Sequence, residues 1–228
     1  MRTVRSLRSA RSLRGLRPVS RRTLGTGLVV GSLAATLLAL LIPVYLFGSA
    51  EPAAAGARTA WNDDGGGITN TRSGPLTPLD RDFVRRVRLA GLWEKPAGRL
   101  ALERGTKGTV KTAGHHLVDG HTELDRLSAE TGQALGVTMP QQPTAEQQGW
   151  LDQLEGARGA TFDRLFANLV RAAHGKVFGL VALVRDRTAN TAVRDLASRA
   201  NTVVLDHITV LENTGLVDFP HPGDNEKK

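Results

Sequence analysis

The sequence predicts an all-α protein, an up-down four-helix bundle behind one N-terminal apolar segment and a flexible linker. Three observations predict it. Beyond residue 78, apolar residues recur at three- and four-residue spacing between Gly- and Pro-bearing breakers, the mark of amphipathic helices. Aromatics make up 4% of the chain and β-branched residues rarely alternate, which argues against a sheet. Near the start, an Arg-rich arm runs into sixteen uncharged residues from Gly27 to Ile42.

That arm and segment come first in the chain. Residues 1–50 hold eight arginines, no lysine and no acid. They account for the whole formal charge of +8, leaving 22 basic against 22 acidic residues in the remainder. Clustered cations bind nucleic acid through its phosphates; a neutral remainder excludes that surface, so no nucleic-acid partner is expected. A helix needs about 20 apolar residues to cross a bilayer, and Leu24 to Phe47 supply them. With arginines on one flank only, the N-terminus is expected in the cytoplasm and the domain outside, held by a single-pass anchor spanning 24–50. The alternative is secretion after cleavage near Ala50, because Gly48-Ser49-Ala50 has the small residues a signal peptidase reads. The absence of cysteine excludes disulfides and thiolate chemistry.

Residues 51–78 are rich in Ala, Gly, Pro, Asn and Thr and read as a flexible linker. The bundle is expected over 79–215 and a disordered tail over 216–228. The first helix is expected from Asp80, its N-cap candidate, to about Arg104, with Phe83, Val87, Ala90, Ala97 and Ala101 inward and Pro96 kinking it or costing it a backbone hydrogen bond. A turn at Gly105–Gly108 leads to a second helix, Thr109 to Leu135, burying Val110, Leu117, Leu124 and Leu127. Thr144 and Gln147 make a capping box for a short helix carrying Trp150, Leu151 and Leu154. A long third helix, Phe162 to Arg185, presents Phe162, Phe166, Leu169, Ala173, Val177, Leu180 and Val184. The fourth, Ala189 to Asn213, presents Val193, Leu196, Ala200, Val203, Val210 and Leu211. Short turns after the first and third helices favour up-down-up-down order.

Particular residues along these helices carry a resemblance. They are Asp82-Phe83, Glu94 with Gly98-Arg99-Leu100-Ala101, Val110, Leu117-Val118-Asp119-Gly120-His121, Leu154, Phe162-Asp163, His174 and His207. Over roughly Asp80 to Asn213 the chain resembles an exported bacterial family of unknown function, DUF family four-one-four-two, sometimes labelled outer membrane proteins. The resemblance implies a ferritin-like four-helix fold and no activity. Pro96 and His115-His116 depart from its pattern.

Four ionisable groups fall on the apolar lines, one per helix: Glu94, His121, His174 and His207. Helix bundles build metal sites from inward carboxylates and imidazoles, and one Glu with neutral His nitrogens suits a divalent transition metal such as zinc or iron. The di-iron pattern needs Glu-x-x-His on two helices, but Val118, Arg171 and Val204 stand three before the histidines. In up-down-up-down order the four lie about 11, 16, 13 and 20 residues below one bundle end, a spread of roughly 13 Å. By that count Glu94, His121 and His174 meet and His207 stands apart. The rival reading is a hydrogen-bonded buried network without metal, in which Asp125 orients His121.

Weaker signals sit elsewhere. Phe162-Asp163 opens the third helix, where a carboxylate favours the positive dipole end. Arg81, Arg85, Arg86 and Arg88 form a basic start to the first helix, read as a solvated face or a contact to anionic polymer. No phosphate loop, nucleophile elbow or His-Glu-x-x-His occurs, and no motif names a reaction. The first expectation is therefore a cell-envelope binding or structural module that meets the membrane, and a partner of unknown kind, outside the cytoplasm. The second is a metal-binding ferritin-like protein.

Overall fold

The computed structural model describes residues 61–219. The expected arm, apolar segment, the linker up to residue 60 and the tail from 220 lie outside the described residues. Within them the chain is all-helical apart from one small ribbon. Strand β1 (Thr69–Thr71) pairs antiparallel with β2 (Gly74–Leu76), and five helices follow. These are α1 (Pro78–Arg104), α2 (Gly108–Leu135), α3 (Ala145–Gly156), α4 (Gly159–Arg187) and α5 (Thr191–Glu212).

The helix starts follow from their caps. Thr77, not Asp80, caps α1: its hydroxyl accepts from the Asp80 amide, and Asp80 Oδ2 accepts from the Thr77 amide at 2.9 Å. Asp80 is therefore the third residue of a reciprocal capping box. The same device opens α3, where Thr144 and Gln147 exchange bonds as expected. The helix α1 runs through Pro96 without a break. Asn190 caps α5 through its side chain.

The order of helix directions differs from the expectation. Leu76, Leu79, Phe83 and Val84 share one apolar cluster with Leu180, Val181, Val184 and Val193. The start of α1, the end of α4 and the start of α5 therefore occupy the same end of the domain. Thr191 donates its amide to the Ser73 carbonyl at 2.8 Å, which pins the ribbon there too. At the other end Ala97, Ala101 and Val110 pack with Phe162, Phe166 and Leu211. So α2 and α4 run the same way, and the chain is up-down-down-up. The connection 136–158 returns the chain across the domain, its helix α3 covering about 18 Å at 1.5 Å per residue. Leu151 and Leu154 are buried on the far cluster, and Trp150 meets Trp93 edge-on at 4.9 Å. The short helix expected in this longer connection is present, and its apolar face covers the far cluster as the chain returns.

The four long helices pack in the order α1, α2, α5, α4 around the interior, and α1 also meets α5 across it and α3. The closest pair is α1 and α2. A Cβ on Gly98 would lie 2.9 Å from the Gly114 carbonyl oxygen, and one on Gly114 would lie 2.8 Å from that of Gly98. Only glycine permits that backbone contact.

The segment expected to be a spacer is partly built into the domain. Arg81 Nη2 holds Asp64 at 2.6 Å and Arg85 holds it at 3.1 Å, so residues 61–68 are fastened to α1. Arg86 pairs with Asp82 at 2.8 Å, and Arg88 pairs with Asp125. All four arginines of the basic helix start thus meet carboxylates, Arg81 and Arg85 sharing Asp64. At the other terminus, the Asp218 amide donates to Asn168 Oδ1 at 2.7 Å and Arg164 pairs with Asp218 at 2.9 Å. Residues 216–219, read as tail, therefore pack on α4.

Candidate metal centre

Between the two apolar clusters lies one polar layer. On α1 it falls between Val87 and Ala97, on α2 between Leu117 and Leu124, on α4 between Val170 and Leu180, and on α5 between Val203 and Leu211. The residues there are Glu94, His121, His174 and His207, each at most 4% exposed. The revised directions bring them level. Counted from the end that holds the ribbon, they stand 16, 14, 13 and 16 residues in, within about 5 Å along the axis. The expected separation of His207 came from assigning the α4–α5 turn to the wrong end and from counting α5 from the end of α4 rather than from Thr191.

One oxygen or nitrogen from each of the four lies within 4.8 Å of the others. Glu94 Oε2 sits 2.6 Å from His121 Nε2 and 3.2 Å from His174 Nε2. His174 Nε2 in turn lies 3.0 Å from His207 Nδ1. A tetrahedral zinc with its ligands at about 2.0–2.2 Å would set neighbouring donors roughly 3.3–3.5 Å apart. The donors here stand 2.6–3.2 Å apart at their closest and at most 4.8 Å apart, a range that brackets that spacing.

Two backbone carbonyls decide the tautomers. His174 Nδ1–H donates to the Val170 carbonyl at 2.9 Å, and His207 Nε2–H donates to the His116 carbonyl at 2.9 Å. A carbonyl can only accept, so each of these nitrogens carries the proton. In the neutral imidazoles the opposite nitrogens, His174 Nε2 and His207 Nδ1, are bare lone pairs facing one another. No hydrogen bond joins two acceptors. Glu94 Oε2 and both nitrogens of His121 also lack a hydrogen-bond partner, although all are buried. Buried polar atoms without partners are uncommon and need an explanation.

Burial also sets the charges. It drives the His121 and His207 imidazoles down to about 3 and that of His174 to about 4, so all three are neutral at neutral pH. Burial lifts Glu94 to about 7, against the opposing pull of His174. Glu94, its carboxyl pushed up to about 7, then faces the bare His174 Nε2 and three neutral rings rather than positive charge. A metal ion would supply what the layer lacks, and the carbonyl bonds behind His174 and His207 are the outer support that metal-bound histidines usually have, while His121 Nδ1 has no such partner.

Several expected roles are redistributed. Asp125 does not reach His121; it pairs with Arg88 and Lys95 instead. Asp163, expected as a cap within its own helix, accepts from the Thr106 amide at 3.0 Å and the Lys107 amide at 3.2 Å, fastening the α1–α2 turn. His116 pairs through its ring with Asp206 at 2.7 Å, while its carbonyl supports His207.

The sequence reading missed Gly120. A Cβ there would stand 2.5 Å from His207 Nε2. The missing side chain is the slot in which that imidazole lies. Within a helix Gly→Ala ordinarily stabilises by about 1 kcal/mol. Here Gly120→Ala is expected instead to destabilise by about 1–3 kcal/mol, read from urea unfolding. A gain in stability would show the slot is not needed.

No curated protein and no solved structure matches this chain. The profile of the family described as Domain of unknown function (DUF4142) matches residues 68–213. That span takes in the ribbon, all five helices and the four residues of the polar layer. With well over half its length matched, the chain belongs to the DUF4142 family of unknown function.

Proposed function

We propose that this protein is an extracytoplasmic metal-binding protein of ferritin-like arrangement. It would hold one divalent transition metal, zinc or iron, through Glu94, His121, His174 and His207. The observation that carries the reading is the pair of facing lone pairs on His174 and His207, fixed by two backbone carbonyls beside a buried carboxylate. A plain hydrogen-bonded network would turn at least one proton into that gap. The single long crossover supports the ferritin-like arrangement, since ferritin-like folds carry one such connection. The nuclearity differs from the di-iron members, because one carboxylate and three imidazoles suit one ion rather than two. The apolar segment 24–50 would place the domain outside the cell, tethered or released after cleavage near Ala50.

Elemental analysis of the full chain, purified without a polyhistidine tag and dialysed against trace metals, tests this. About one transition-metal ion per chain is expected, and His121→Ala with Glu94→Gln should remove it. A wild-type chain that stays metal-free after incubation with zinc, iron(II) and manganese(II) would leave only the structural module.

A further inference from the structure

The polar layer does not close around the ion position on every side. A cavity of about 20 Å³ adjoins it toward the end that holds the ribbon, lined by Glu94, His121 and His174 but not by His207. Its other walls are apolar, among them Phe83, Leu124, Leu180 and Val204. Arg86 and Val177, both partly exposed, form its outer side. A void of this size holds about one water-sized ligand. Its polar partners are Glu94, His121 and His174 on the layer side and Arg86 on the outer side, so an occupant sits against the ion position.

The charge of the layer selects the class of that occupant. Metal-bound ligands are deprotonated carboxylate and neutral imidazole. Three neutral imidazoles and one carboxylate around a divalent ion therefore leave a net charge of +1 in a dry interior. Buried net charge is costly unless compensated. No acid other than Glu94 lines the cavity. Nearby, Asp125 is shared by Arg88 and Lys95, which adds a second uncompensated positive charge rather than a negative one. Asp82, which could have helped, is held by Arg86 at 2.8 Å.

Resting on the metal reading, we infer that the ion, beyond its four protein ligands, accepts a fifth from this cavity, and that this position takes a small monoanion. The class comprises hydroxide, fluoride and other anions of one to three atoms. A neutral ligand would leave the buried charge uncompensated, and a dianion such as phosphate would neither fit nor balance it. Val177 stands at the outer wall and controls access.

Cobalt(II) loaded into the full chain in halide-free buffer tests the inference, because its visible bands report coordination number. Titration with azide or fluoride should shift the bands saturably, with one anion per cobalt, and phosphate should not. Val177→Phe, which plugs the outer wall, should weaken the azide response at least tenfold while retaining one cobalt per chain. Val177→Leu should weaken it less, and serves if the larger residue prevents folding. Cobalt bands that ignore both anions would overturn the inference and leave the metal reading standing, as would nitric oxide binding to the iron(II) form in their place. An azide response unchanged in both variants would overturn the assigned cavity. A chain that takes up no cobalt, zinc or iron would sink both readings together.

Discussion

Saturating zinc is expected to raise the midpoint of thermal unfolding of this protein by about 8–16 °C. A ligand that binds only the folded state at a thousand times its dissociation constant contributes about 4 kcal/mol. For a domain of this size each kcal/mol moves the midpoint by about 2–4 °C. His174 should matter most, because its Nε2 lies 3.2 Å from Glu94 and 3.0 Å from His207 at the centre of the layer. His174→Ala should abolish the zinc-induced shift. His116→Ala should keep it, since His116 supports the layer through its backbone carbonyl and not its ring. Calorimetry on the three chains with and without zinc decides the matter. Equal shifts in wild type and His174→Ala would mean that zinc binds somewhere else.

Trp93→Ala should cost about 3–5 kcal/mol, the usual range for deleting a buried aromatic. The midpoint would fall by about 6–20 °C. Trp93 is 1% exposed and immediately precedes Glu94. It is also the surface on which the crossover helix rests, through the edge-on contact with Trp150. Its loss opens a cavity and frees α3 together. Trp93→Phe should recover most of the stability by refilling the void. Trp150 is partly exposed, so Trp150→Ala should cost much less. A Trp93→Ala penalty below about 1 kcal/mol would show that the crossover is anchored elsewhere.

Some of this architecture is legible residue by residue. The capping box at Thr144 and Gln147 needs only local spacing, and it forms as read. The four candidate ligands were found because an ionisable residue on an apolar helical face stands out against its neighbours three and four away. Faces were less exact than periods. The buried line of α4 is Phe162, Phe166, Val170, His174, Leu180, Val181 and Val184, while Leu169, Ala173 and Val177 of the expected line are only partly covered. The spacer was misread over 61–78 because its order comes from distant partners: Asp64 is held by Arg81 and Arg85, and the ribbon by Asn190 and Thr191. No local pattern announces such contacts.

The sequence by itself determined the helix count among the described residues, the breakers between helices and the polar residue that each long helix gives to the central layer. Those properties depend on side chains within one or two turns of each other. Only the tertiary structure decided that α2 and α4 run the same way, and that choice brings His207 level with Glu94, His121 and His174. The reason is physical: a connection long enough to return permits either direction. The direction is then settled by which apolar surfaces cover one another, here Trp150, Leu151 and Leu154 against the cluster around Trp93. The tautomers belong to the same class of fact. A proton sits on His207 Nε2 because a carbonyl from another helix lies 2.9 Å away.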